Sequence, residues 1–315
     1  MEGEAGPRRG GAVARRRRVI ALIRTHLPRS ERVFELGEAL ESAGFEVRVA
    51  ADETHGTVDA GRFEKRPHSL AMFKAMGLPM PGPEHRLMRY RGDYALIGST
   101  PDRRPQDFYL MVEYDVGLRN PASDYWRRLR AVLNRPRLEM IGAYLRRYRR
   151  TRFRHGFAEP WKCFFPIVGV SGRAIDVIEA GRRRLGAGPE PDRRGVHCEV
   201  FVPSVLQEQG FRLHDLNRLL PGSIDHSTFS VRDIYPATAP DVAFGDGELA
   251  HRVTGFEEFL AKAPIFAIRN NTAPKLRKRL GELAGRGADA EALARCEAEL
   301  ARLEAERASQ KPAAA

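Results

Sequence analysis

The stretch Phe108-Tyr109-Leu110-Met111-Val112-Glu113-Tyr114-Asp115 decides how this chain is read. Its five leading residues form a short apolar run, the length of a strand buried on both faces. The run ends abruptly in two acids separated by one residue. In open α/β sheets, ligands gather beyond the carboxyl ends of the strands. Glu113 and Asp115 therefore stand where a strand frays into a loop and both can face one hard cation, Mg2+ or Mn2+, that bridges them to a diphosphate. Without a counter-charge the two carboxylates repel each other.

Working outward, Arg18–Arg24 (RVIALIR) reads as a first strand and Phe45–Ala50 (FEVRVA), which alternates, as a second. Between them lies a helix over Glu31–Ala43, with Ser30 as N-cap and Gly44 as its stop. A strand–helix–strand unit of this length implies parallel strands and a right-handed crossover. Pro67–Met76 reads as a short helix, Asp93–Ile97 (DYALI) as a third strand and Phe164–Val170 (FFPIVGV) as a strand after an arginine-rich helical region. Helices follow over about Arg173–Leu185 and Glu199–Gln209. Leu276, Leu280, Leu283, Leu293 and Leu300 keep helical spacing across 275–308, broken at the GRGAD stretch, and predict a helical hairpin. The expected organisation is a disordered basic tail over 1–17, one α/β domain over 18–272 with a mixed, mostly parallel sheet flanked by helices, and a C-terminal helical extension over 273–315.

The 315 residues are 42% hydrophobic, enough for a sizeable core. No apolar run approaches the roughly 18–20 residues of a membrane span. Val19–Ile23 is too short for a signal-peptide core, so a cytoplasmic location is expected. Cys163, Cys198 and Cys296 form no ligand-spaced cluster and read as free buried thiols. The net charge of +12 is concentrated: residues 127–154 hold eleven arginines against the single acid Glu139. Such a segment suits an anionic membrane surface, a nucleic acid or simply a solvated face.

Five further places bear chemistry. Asp52 follows the second strand and Asp93 opens the third; each is where a ribose hydroxyl or base meets a sheet edge. Val168-Gly169-Val170-Ser171-Gly172-Arg173 runs a strand into a Gly/Ser turn and a helix start, which admits a substrate close to the backbone and favours negative groups. Glu199, in His197-Cys198-Glu199, precedes a helix and suits a general base toward an acceptor hydroxyl. His226, in Asp225-His226-Ser227, offers an imidazole to a metal.

The order of these features resembles the GT-A glycosyltransferase core over about residues 18–235. In that family a first βα unit, a DxD motif, a glycine-rich loop, an xED motif and a late metal-binding histidine follow one another. Carried over, Glu113 and Asp115 match the DxD, Gly169 and Ser171 the acceptor-side loop, Glu199 the xED and His226 the late histidine. Two departures stand out. The DxD begins with Glu, and the xED reads Cys198-Glu199-Val200 without its final acid, so Glu199 has to serve as base. The resemblance implies a nucleoside diphospho-sugar donor bound with Mn2+ or Mg2+ and transfer to a hydroxyl acceptor. Beside it, the placement of Asp52 and Asp93 turns them toward the nucleotide, and the arginines of 127–154 suggest peripheral contact with an anionic membrane. Two alternatives stand beside it: a nucleic-acid-binding protein using residues 127–154, although no recognised nucleic-acid motif is present, and another Mg2+-dependent nucleotide-using enzyme such as a nucleotidyltransferase.

Overall fold

The computed structural model describes residues 17–80, 84–149, 157–186, 196–239, 241 and 246–309. The expected disordered tail, apart from Arg17, lies outside these residues, as do Arg150, Arg152 and Arg154 of the arginine-rich segment and residues 187–195 of the loop before Val196.

Strand β1 (Val19–Thr25) is buried along its length except for half-buried Arg24. Helix α1 (Glu31–Ser42) follows, and Gly44 behind it takes φ +87°, a left-handed turn that glycine adopts without strain. The chain returns as β2 (Glu46–Asp52), parallel to β1 with Leu22 opposite Arg48. The expected crossover unit is thus present. An unforeseen strand, β3 (Glu64–His68), then pairs parallel with β2, and α2 (Leu70–Ala75), capped by the Ser69 hydroxyl accepting from Met72 N–H, occupies the rest of the stretch read as one helix. Helices α3 (Glu84–Tyr90) and α4 (Gly92–Gly98) follow. The strand expected at Asp93–Ile97 is therefore a helix. Every residue from Gly92 to Ile97 is buried, Asp93 included, so the segment shows no solvent-facing side, and so short a run carries no period to separate helix from strand.

Strand β4 (Phe108–Glu113) lies parallel to β1 on the side away from β2. After β5 (Val116–Leu118), the arginine-rich region expected to be helical is helical only at its start, in α5 (Tyr125–Leu133) with Arg127, Arg128 and Arg130, and then becomes β6 (Met140–Arg147). Strand β7 (Trp161–Ser171), helix α6 (Gly172–Gly186), helix α7 (Cys198–Glu208), β8 (Leu213–Asp215) and α8 (Leu216–Leu219) complete the main layer. The sheet order is β3-β2-β1-β4-β7-β6-β8. Strand β7 alone runs against its neighbours; the other pairings are parallel. This is the expected mixed, mostly parallel sheet.

Alternate side chains of the central strands feed two cores. Ile20, Leu22, Tyr109 and Met111 pack with residues of α4, α6 and α7 on one face. Ala21, Ile23, Leu110 and Val112 pack with residues of α1 and α5 on the other. A strand covered on both faces needs apolar residues at every position, which is why FYLMV is continuous rather than alternating.

The C-terminal part adds β9 (Tyr235–Pro236), β10 (Leu249–His251), β11 (Val253–Thr254) and three helices, α9 (Phe256–Asn270), α10 (Ala273–Gly285) and α11 (Ala290–Ser309). The five leucines singled out above are all buried in a third core shared by these helices. Asp289, within GRGAD, starts α11 by accepting from the N–H groups of Glu291 and Ala292 at 2.9 and 3.1 Å. Among the described residues no helix is long and apolar enough to cross a membrane, and all three cysteines are free and buried.

Candidate metal centre and cleft

The carboxyl ends of β1 and β4 lie side by side, with Arg24 in register with Glu113. The chain then turns at Tyr114-Asp115 into β5, which pairs antiparallel with β10 so that Val116 stands opposite His251. Val253 N–H donates to the Asp115 carbonyl at 2.6 Å and fixes the two segments together. The result is a group of three: Glu113, Asp115 and His251 each offer a ligand atom, all within 4.8 Å of one another.

His251 Nε2 lies 3.5 Å from Glu113 Oε2 and 3.5 Å from Asp115 Oδ1. Its other ring nitrogen, Nδ1, is 3.0 Å from the Ser230 carbonyl oxygen, which only accepts. Nδ1 therefore carries a proton and Nε2 is turned toward the carboxylates, the arrangement by which a carbonyl orients a metal-binding imidazole. Asp115 Oδ1 and His251 Nε2 are both buried and lack a hydrogen-bond partner among the described residues. Two carboxylates and an imidazole lone pair facing one point need a positive charge there, a proton or a cation.

The electrostatics follow from the same geometry. Burial alone pushes Glu113 up, but contact with His251 and the guanidinium of Arg24, 2.9 Å from Oε1, outweigh it and hold the carboxyl down to about 2. Burial raises the Asp115 carboxyl; His251 pulls it back and the neighbouring Glu113 charge raises it further. Burial alone lowers His251, yet the two carboxylates raise it overall.

The group forms part of the floor of a cavity of about 620 Å³. Arg24, Thr25 and Asp52 line it from the strand ends, Phe164 and Glu199 from the β7–α7 side, and Glu258, Lys262 and Phe266 from α9.

The structure brings some of the sequence candidates together and parts others. Asp52 is on the cavity wall, its Oδ1 accepting from Thr54 N–H at 3.1 Å and from the Thr54 hydroxyl at 2.5 Å. Glu199 is there too, in the first turn of α7, with Lys162 Nζ 3.2 Å from Oε2. Asp93 is not. It is fully buried and held by Arg182 through Nε–Oδ2 at 2.5 Å and Nη2–Oδ1 at 3.0 Å, so its carboxylate is spent on a structural ion pair. Gly169 and Ser171 are at the opposite edge of the sheet, because antiparallel β7 places Ser171 beside Phe108 at the start of β4. A Cβ at Gly169 would stand 2.5 Å from the Phe108 ring, so this glycine serves packing, and Ser171 accepts from Ala174 N–H at the start of α6. His226 is exposed and stacked on Tyr144, ring centroids 4.2 Å apart at 11°. The imidazole that meets the carboxylates is His251 instead. In sequence it sits inside the apolar run Leu249-Ala250-His251, and only the β5–β10 pairing reveals it.

The described arginines of 127–154 are spread over several elements, with Arg127, Arg128 and Arg130 on α5. Strand β6 carries others apart: Arg135 and Arg137 precede its first residue, while Arg146, Arg147 and Arg149 stand at its far end, roughly 25 Å away at about 3.3 Å per residue. Because β6 points the same way as β4, the second group is at the edge that holds Glu113.

No protein-family model matches the chain, and no curated protein matches it. Solved structures similar to it include a glycosyltransferase involved in the glycosylation of the major capsid of PBCV-1, with 12% identity, a TM-score of 0.36 and coverage of 75% of this chain and 93% of that one. Another is mouse xyloside xylosyltransferase 1 in its apo form, with 11% identity, a TM-score of 0.34 and coverage of 76% and 97%.

Proposed function

We propose that this chain transfers a glycosyl group from a nucleoside diphospho-sugar to a hydroxyl acceptor, with Mn2+ or Mg2+ held by Asp115, His251 and Glu113. The observation that carries the reading is the convergence of two buried ligand atoms, Asp115 Oδ1 and His251 Nε2, without a hydrogen-bond partner among the described residues, in the cavity lining beside Glu113. Carboxylate oxygen and imidazole nitrogen together suit Mn2+ better than a purely oxygen-ligated ion. When bound, the ion supplies positive charge to the diphosphate as it leaves.

The chain's own residues do the rest. Asp52, at the end of β2 on the cavity wall, receives a hydroxyl of the nucleotide ribose. Glu199 accepts the proton of the acceptor hydroxyl. The acceptor oxygen forms its bond to the anomeric carbon while the bond to the diphosphate oxygen breaks, and the electron pair leaves with the diphosphate. A base on the acceptor side implies attack opposite the leaving group and hence inversion.

Burial raises the Glu199 carboxyl above its usual range, Lys162 opposes this, and Glu113 adds to it. A base must be deprotonated, so turnover is expected to fall as pH drops through this raised value, and Lys162→Met should move that acid limb to higher pH. Glu199→Gln should keep nucleotide binding while lowering kcat about a hundredfold or more, the usual scale for losing a general base. An unchanged kcat removes Glu199 from this role. The reading as a whole is tested by a thermal-shift screen of nucleotide sugars with and without Mn2+, followed by product analysis. A ligand of the native state raises stability by about 2.7 kcal/mol at a hundredfold excess over its Kd. Release of free nucleoside diphosphate marks sugar transfer; release of pyrophosphate marks a nucleotidyltransferase.

The arginines at the far end of β6 give the acceptor side a character. Arg146, Arg147 and Arg149 are exposed, and only Arg147 has an acidic partner among the described residues, Glu159 at 3.1 Å. Arg146 is in register with Lys162, which reaches Glu199. An acceptor whose hydroxyl meets Glu199 thus carries its own negative charge toward this hairpin, whether it is a soluble anionic glycan or is borne on an anionic membrane. Replacing the three arginines by Gln should weaken binding severalfold to vesicles containing phosphatidylglycerol or to an anionic acceptor, with an effect that fades as salt is raised. No change in either assay leaves them as a solvated face.

A further inference from the structure

A divalent cation at this centre meets more than its ligands. Arg24 Nη1 donates to Glu113 Oε1 at 2.9 Å, and its Nη2 donates to the Met88 carbonyl. The Arg24 side chain is only 14% exposed and is tied at both ends, so it does not swing aside freely. Arg252, next along the chain from His251, contributes a second guanidinium whose charge is felt by Glu113, Asp115 and His251. It lies over the Phe266 ring at 5.0 Å. Two carboxylates are thus set against two guanidiniums. Among these four groups the formal charges cancel when His251 is neutral.

A bare divalent ion gains little from such a site. The attraction of Asp115 and Glu113 is reduced by repulsion from Arg24, whose guanidinium is hydrogen-bonded to Glu113 itself, and from Arg252 beside His251. A diphosphate reverses the balance, because its negative charges face both guanidiniums and the ion together. We infer that Arg24 makes metal binding and diphosphate binding mutually dependent: the ion is held weakly alone and firmly only with the nucleotide. The inference rests on the metal-dependent reading above and adds to it the residue that sets the order. Coupling of this kind is reciprocal, so the factor by which the nucleotide tightens the metal is the factor by which the metal tightens the nucleotide.

The test follows free Mn2+ by electron paramagnetic resonance, in titrations of the full chain with Mn2+ alone and with Mn2+ plus UDP or GDP, and needs no turnover. For the parent, either nucleotide is expected to tighten Mn2+ tenfold or more. Arg24→Gln, which keeps a donor for Glu113 but loses the charge, should bind Mn2+ alone about fivefold or more tightly than the parent, within the usual range of coupling factors. Its nucleotide-dependent tightening should shrink by the same factor. Arg24→Met should behave alike, and either variant suffices if the other does not fold. Variants that bind Mn2+ alone no better than the parent, while the parent still responds to nucleotide, overturn the role of Arg24 and leave the metal-dependent reading standing. A parent that binds no Mn2+ with or without either nucleotide overturns both.

Discussion

Asp115→Asn is expected to abolish turnover and, with it, every Mn2+-dependent rise in melting temperature produced by a nucleoside diphosphate. The amide still offers an oxygen, but it carries no charge to set against a divalent ion facing two phosphates. Its NH2 group, if turned inward, would donate to the His251 Nε2 lone pair that Asp115 Oδ1 faces from 3.5 Å, occupying the nitrogen that the ion needs. His251→Ala should have the same consequence for metal binding. His226→Ala should not, since that imidazole is stacked on Tyr144 away from the carboxylates. Metal-dependent stabilisation of Asp115→Asn equal to the parent's would sink the assignment of Asp115 as a ligand.

The second large effect is on stability. Asp93 and Arg182 are 0% and 1% exposed and joined by two hydrogen bonds, while Arg182 also donates to the Val196 carbonyl at 2.9 Å and lies over the Phe201 ring at 3.8 Å. Breaking such a pair from one side leaves an uncompensated buried charge, so Arg182→Met should lower the unfolding free energy by about 3–5 kcal/mol. Replacing both partners by apolar residues, Arg182→Met with Asp93→Leu, should recover much of that loss, because the desolvation of both charges disappears with them. Urea unfolding of the parent, the single variant and the double variant measures both quantities. A loss under about 1 kcal/mol in Arg182→Met would place the pair among ordinary surface ion pairs.

Both results bear on what could be read from the sequence. Strands β1, β4 and β7 were legible because each contains an apolar run bounded by turns or charges, β2 because it alternates, and so were α1 and the leucine-spaced helices α10 and α11. Helix α4 was not: Asp93 and Tyr94 are as buried as Leu96 and Ile97, and a segment without a wet face has no period. Strand β6 was masked by its flanking arginines and by irregular pairing between Gly142 and Arg146, where Tyr144 takes φ +53° and local alternation is lost. At the centre, Glu113 and Asp115 could be placed from their position at the end of one strand. His251 could not, because what brings it there is the pairing of β5 with β10, a contact between segments far apart in sequence. The Gly169–Ser171 turn had the right composition for a ligand loop, but the direction of β7 decides which edge of the sheet it occupies, and direction is not written in composition.

The joining of β5 to β10 also has a consequence for how the protein is made. Asp115 and His251 are separated by more than a hundred residues. On the ribosome the acidic pair emerges long before the imidazole, and the intervening loop must close, at an entropic cost that grows slowly with its length, before the three ligand atoms meet. Under the metal-dependent reading proposed above, a nascent chain carrying only the acidic pair lacks the imidazole and its Ser230 support, and so has little hold on a transition metal. Under that reading, metal competence is a late product of maturation, acquired only when His251 reaches the acidic pair. A stalled or truncated chain ending before His251 would be released without it.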